Sequence, residues 1–264
     1  MKQMLFSLLL TVVLVTAQAQ KIKPLTSIQI DSIVSVTMKR MPLAGLAVAV
    51  VKDGVVIHSK GYGVASIRSK EKVDEHTLFA IASNSKAFTT MALAMLVDEG
   101  KLNWKDQITQ YIPEFKMYDP YVTANFNIQD LLTHRSGLGL GAGDLMFFPD
   151  GSDFTTKDVI RSFQFLKPVS AFRTKYDYDN LLYIVAGEVV ARVSGLSWTD
   201  FVESRIMRPL GMMRSAGVYQ TIKDRKNIAM PHSVLNSQLN QFEPYTKNDP
   251  SLGAAGGIYA SVAD

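Results

Sequence analysis

Ser83 and Lys86 stand three residues apart at the head of an apolar stretch, residues 87–97, and this pairing of residue types can do chemistry. A serine hydroxyl is a weak nucleophile until a neighbour accepts its proton. A lysine accepts it only when burial or nearby positive charge draws the amine down from about 10.4 towards neutrality. Residues three apart on a helix share a face about one turn from each other, which puts the Lys86 amine within reach of the Ser83 hydroxyl. A helix N-terminus adds unpaired N–H groups and a positive dipole end, which disfavour a second cation and favour an oxyanion forming at Ser83. Taken alone, the tetrad leaves a plainer arrangement open, with Ser83 as a helix N-cap and Lys86 solvated in the first turn.

A second group runs from Lys175 to Asn180, ahead of the apolar residues 181–193. Tyr178 offers a phenol that can carry a proton, and Asn180, two residues later, offers an amide that can hydrogen-bond a substrate carbonyl. The pattern also fits Asn180 as an N-cap and Tyr178 or Tyr176 as a packed aromatic. His134 could act as a general base. Because the serine already has a lysine, we read it instead as a ring whose nitrogens tie its loop to neighbouring backbone. Gly139, Gly141 and Gly143 form a flexible loop; a phosphate loop would need a strand before it and Lys-Ser/Thr after it. The four histidines, His58, His76, His134 and His232, show no metal-binding spacing, and His58 is expected at a strand surface or edge.

These groups need elements to position them. Ala87, Phe88, Met91 to Val97 are apolar on nearly every face, the pattern of a buried helix. Asp31 is placed to cap an earlier helix carrying Ile33, Val34, Met38 and Met41, with Pro42 as its stop. Residues 46–51 and 55–59 are β-branched runs joined by Asp53-Gly54, whose positive φ angles suit a type I′ turn and start a sheet. Residues 100–168 are mostly helix and loop.

Composition frames the whole. The 264 residues are 47% hydrophobic and 20% charged, enough for a sizeable globular core. Residues 1–19, with Lys2, the apolar run 4–15 and Ala17-Gln18-Ala19, read as a signal peptide cleaved near Gln20, with no stable membrane span afterwards. The expected location is periplasmic or secreted. There is no cysteine, which excludes disulfides, a lipoprotein anchor and thiol catalysis. Net charge is +4 (28 basic minus 24 acidic residues), or +3 once Lys2 is lost with the leader. Its scatter gives no nucleic-acid surface, and the cluster Lys223, Asp224, Arg225, Lys226 reads as a solvated loop.

In order along the chain stand Gly45 to Gly63 with its Asp-Gly hairpin, Ser83-x-x-Lys86, Leu131-Leu132-Thr133-His134-x-Ser136-Gly137-Leu138 and Tyr178-x-Asn180. Gly195, Trp198, Pro209-Leu210-Gly211-Met212 and Ala255-Gly256-Gly257 follow. In this ordered set the chain resembles the serine β-lactamase and penicillin-binding-protein superfamily, on the branch of class C β-lactamases, D-alanyl-D-alanine carboxypeptidases, D-aminopeptidases and related esterases. The resemblance implies an α/β (α+β sandwich) fold, with an antiparallel sheet flanked by helices and a mostly helical lobe. It implies one domain over residues 20–264, C-terminally incomplete, since the family's third motif (Lys-Thr-Gly or His-x-Gly) and last strands would follow Asp264 and leave residues 46–59 with an exposed edge.

By the same resemblance Ser83 is the acylated nucleophile, Lys86 its proton acceptor or electrostatic partner, Tyr178 the second proton-handling group and Asn180 the amide that meets the substrate's acyl side chain. The Ser83 N–H supplies half an oxyanion hole. Asp179 departs from the small residue common between Tyr and Asn. The implied activity is hydrolysis of an amide or ester carbonyl (a β-lactam, a D-amino-acid peptide or an ester) through an acyl-enzyme, on a small-molecule or peptidoglycan-like substrate, with no metal or cofactor. The alternatives are a binding or sensor domain of the same fold that acylates without turnover or not at all, and an α/β-hydrolase, for which the G-x-S-x-G elbow is missing.

Overall fold

The computed structural model describes residues 25–147, 153–244 and 250–264. The leader expected over residues 1–19 and its cleavage point lie outside the described residues. The chain divides into two units, residues 1–40 and 41–264. In the first, helix α1 (Ser27–Arg40) starts one turn before the Asp31 expected as its cap. Thr26 and Gln29 cap it reciprocally, Thr26 N donating to Gln29 Oε1 (2.8 Å) and Gln29 N to Thr26 Oγ1 (3.3 Å).

The second unit opens with the expected hairpin, β1 (Gly45–Lys52) antiparallel to β2 (Val55–Gly63). Asp53 and Gly54 take φ of 52° and 76°, the positive values that a type I′ turn demands. Among the described residues these two strands pair only with each other, and Val51, Val55 and Val56 at their tip are exposed. His58 is not the surface residue expected; it is buried, with Nε2 2.8 Å from Tyr62 Oη, and that partner lets a polar ring leave water. Two shorter antiparallel pairs follow, β3 (Phe79–Ala80) with β6 (Tyr259–Ala260) and β4 (His232–Leu235) with β5 (Gln238–Gln241).

The helices of this unit are α2 (Ser85–Asp98), α3 (Pro120–Asn125), α4 (Ile128–Leu132), α5 (Thr156–Ser162), α6 (Leu181–Ser194) and α7 (Trp198–Val202). Short ones are held by their caps. Asn127 and Asp130 form a capping box on α4, and Thr155 and Asp158 form one on α5. Helix α6 is the centre of the core. Nine of its residues, from Leu181 to Val190, are buried on every face, and α2, α4, α5, α7 and the 3₁₀ turn Pro250–Ala255 pack around it. Gly187 permits the closest approach, since a Cβ there would lie 2.6 Å from Ala254 Cβ. The chain is thus a mixed α/β fold of helices with small antiparallel sheets.

Helix α2 corrects one expectation. It is not buried all round: Met91 and Ala87 are exposed, and the covered face carries Ser85, Lys86, Thr89, Ala92, Leu93 and Leu96. Polar groups on that face must find partners. Thr89 finds two, accepting from Trp198 Nε1 (3.0 Å) and donating to Ala254 O (2.8 Å), so one hydroxyl joins α2, α7 and the 3₁₀ turn. Replacing Thr89→Val keeps the shape and leaves the indole N–H and the carbonyl unpaired. The expected loss is about 2 kcal/mol, read as a lower urea midpoint with unchanged slope; an unchanged midpoint would show that the joint adds nothing.

Candidate active site

The site is built on a strand, a turn and a helix. Strand β3 pairs with β6, Ile81 N donates to Ile258 O (2.9 Å), and the chain then turns through a 3₁₀ segment, Ala82–Asn84, into α2. Ala82 has φ 46°, in the left-handed region that non-glycine residues seldom enter. Ser85 holds the turn: its Oγ donates to Ala82 O (2.7 Å) and accepts from Ile258 N (3.0 Å). Ser83, carried by this turn rather than by the helix, is exposed.

Lys86 lies one turn on and is buried. Its Nζ makes three hydrogen bonds: to Ser83 Oγ (3.2 Å), Asn180 Oδ1 (2.7 Å) and Ala255 O (2.6 Å). Tyr178 Oη is 2.6 Å from Ser83 Oγ, and its ring centre is 4.8 Å from Lys86 Nζ. All four residues singled out from the sequence, Ser83, Lys86, Tyr178 and Asn180, therefore meet in one place. Burial draws Lys86 below its ordinary value, and the negative or potentially negative groups Tyr178, Asp144 and Asp179 pull the other way.

Two loops bring Tyr178 and Asn180 to this point. Arg173 spans from one to the other: its Nε and Nη2 meet Asp130 Oδ1 and Oδ2 at 2.9 and 2.6 Å in a bidentate pair with a buried carboxylate. Asp177 N donates to His134 O (2.9 Å) and Asp179 N to His134 Nδ1 (3.1 Å). That last bond needs an unprotonated Nδ1, and burial, helped by the Lys86 charge, lowers the His134 pKa. The ring stacks on Tyr178 with centroids 4.5 Å apart, while Tyr176 meets it edge-on and is itself mostly exposed. Thus His134 ties its loop to backbone, and Tyr178 rather than Tyr176 faces the serine.

Three contributors were missed from sequence. Asp144, following the glycine loop, accepts from Asn180 Nδ2 on both carboxylate oxygens (3.1 Å each), and Gly141 N donates to Tyr178 O (2.8 Å). The Ala255 carbonyl is the second. Asp179 is the third. It, and not Asn180, caps α6 through its side chain, with Oδ1 accepting from Leu181 N (2.8 Å) and Leu182 N (3.4 Å). It is wholly buried and its Oδ2 has no partner. Burial raises its pKa to about 7, with the Asp144 charge adding to the rise and the two backbone bonds and Lys86 opposing it. The only sequence signals for these were the glycines that shape the Asp144 turn, Gly141 and Gly143 with φ of 68° and 77°, and the unusual acid between Tyr178 and Asn180.

Residues 30–264 match the model of the Beta-lactamase family. The chain belongs to the Beta-lactamase family. Unguisins hydrolase ungD' of Aspergillus campestris is 32% identical over 242 residues, 88% of this chain and 44% of that protein. The octameric penicillin-binding protein homologue from Pyrococcus abyssi shares the fold at a TM-score of 0.77 and 26% identity, over 89% of this chain and 53% of that one. A class C beta lactamase from Rhodobacter sphaeroides, 20% identical, gives a TM-score of 0.72 over 89% of this chain and 62% of that one, a likeness of fold alone. The fold is that of the serine β-lactamase and penicillin-binding-protein superfamily. The chain spans less than half the length of the curated relatives it matches.

Asp179 gives this Beta-lactamase family member a pH signature. Its folded-state pKa, about 7, lies above the ordinary 3.8, so the folded chain binds the proton more tightly than the unfolded one. The contribution to stability is complete below the lower value and is lost as pH rises to the upper one. Asp179→Asn keeps a cap acceptor and removes the titration. Urea unfolding at about pH 4 and about pH 7 should show the variant gaining stability relative to the parent over that interval; a constant difference would mean that Asp179 ionises normally.

Proposed function

We propose that the protein is a serine hydrolase that forms an acyl-enzyme on Ser83 from an amide or ester carbonyl. The observation that carries this reading is the placement of Ser83 Oγ 2.6 Å from Tyr178 Oη and 3.2 Å from Lys86 Nζ, two groups able to take its proton. Membership of a family with hydrolase relatives supports it.

Ser83 Oγ attacks the carbonyl carbon as its proton passes to the Tyr178–Lys86 pair. The carbonyl oxygen becomes an oxyanion, to which we assign the Ser83 N–H as one backbone donor. The intermediate collapses: the bond to the leaving amine or alcohol breaks, and Tyr178 Oη returns the proton to it. Water, deprotonated by the same pair, then attacks the acyl carbon and releases the acid with Ser83 restored. The pair begins one proton short, which burial favours by drawing Lys86 towards its neutral amine, so that it can accept the Ser83 proton, and Asn180 faces the acyl portion. β-Lactams, D-amino-acid peptides and simple esters are the substrate class, and the extracytoplasmic address expected from the leader suits all three.

Ser83→Ala should abolish both turnover of a p-nitrophenyl ester and the mass increment left by a fluorophosphonate or a penicillin. Tyr178→Phe should lower kcat/KM by at least about a hundredfold. In the parent the alkaline rise of kcat/KM should fall below the ordinary lysine value of 10.5. A covalent adduct on Ser83 without turnover would identify an acylation-only domain. Ester hydrolysis surviving in Ser83→Ala would remove the assignment of the nucleophile.

A further inference from the structure

We propose that Asp144 is a specificity-determining residue that selects substrates carrying a protonated amine on the acyl side of the scissile carbonyl, an inference resting on the acyl-transfer reading above. Asn180 sits between two charges. Its Oδ1 accepts from Lys86 Nζ at 2.7 Å and its Nδ2 donates to both oxygens of Asp144 at 3.1 Å. With both ends of the amide engaged, the group beside it with acceptor capacity to spare is the Asp144 carboxylate, which has about four lone-pair sites. Asp144 is half-buried, so a ligand can reach it while solvent screens it less than on an open surface.

Orienting Asn180 does not require a charge. A neutral carbonyl would serve as acceptor, and the negative charge works against the rest of the site: it holds the Lys86 proton more firmly and raises the proton affinity of buried Asp179. A bound ammonium removes both penalties. It neutralises Asp144 and, as a second cation near Lys86, favours loss of the Lys86 proton, so recognition of an amine also readies the serine. The loop is shaped for this placement. Gly143, at φ 77°, turns the chain where a Cβ would lie 2.3 Å from Leu181 Cδ1, and a Cβ at Gly141 would press on Asp144 Oδ2 at 3.1 Å. Gly141 N, bonded to Tyr178 O, fixes the loop to the site.

The test is a matched pair, alanine p-nitroanilide and its N-acetyl derivative in both D and L forms, with p-nitrophenyl acetate as a reporter of acyl transfer. The ratio of kcat/KM within each pair cancels whatever both members share and leaves the effect of the amine, its pull on Lys86 included. The full chain should favour the free amine by about tenfold near neutral pH, and the preference should fade above about pH 8 as the amine deprotonates. Asp144→Asn should bring the ratio to about one, and Asp144→Glu should retain a preference. Equal loss on both members of the pair would make Asp144 a merely structural partner of Asn180 and overturn the inference. So would a parent that shows no amine preference while its ester turnover still depends on Ser83. If no substrate turns over and no reagent acylates Ser83, the acyl-transfer reading falls and this inference with it.

Discussion

A lysine withdrawn from water must have each of its N–H groups answered, and the site is arranged around that demand. Lys86 Nζ reaches oxygen on three segments far apart in sequence: Ser83 in the turn before α2, Asn180 before α6, and Ala255 late in the chain. Each bond fixes one segment against the others. The close packing of α2 on α6, and of α6 on the 3₁₀ turn Pro250–Ala255, is the apolar half of the same arrangement. Were the cation solvated, only the apolar packing and the Thr89–Ala254 bond would still draw α2 to these segments.

The electrostatics are balanced rather than one-sided. Burial draws the Lys86 pKa down, whereas Tyr178, Asp144 and Asp179 draw it up, and burial is the largest of these pulls. Neutral His134 sits beneath Tyr178 and adds no charge of its own. An amine held between these pulls responds to small changes in its surroundings, such as a ligand that brings or covers a charge.

The parts legible in the sequence were those set by short separations. Ser83 and Lys86 share a helical turn, Tyr178 and Asn180 flank one residue, and Asp53-Gly54 dictates a hairpin by its φ angles alone. The rest depended on groups that sequence patterns do not mark. Ala255 contributes a carbonyl, which every residue has. Asp144 follows a glycine loop that looked merely flexible, yet those glycines turn it onto Asn180. Strands β3 and β6 are two residues each, too short for an alternating pattern. The burial of Ser85, Lys86 and Thr89 shows why α2 looked apolar all round: its covered face holds the polar groups, and apolar Met91 faces out.

The Lys86–Ala255 bond joins positions 169 residues apart, and the Lys86–Asn180 bond spans 94. Contacts of that range form late in folding, because a long loop must close before they return any energy. The local Ser83-x-x-Lys86 turn can form early, but in a loosely assembled chain its amine is hydrated and an ordinary strong base. The full bonding of Lys86 is therefore a property of topological closure, complete only once segments 94 and 169 residues further along the chain have docked against α2.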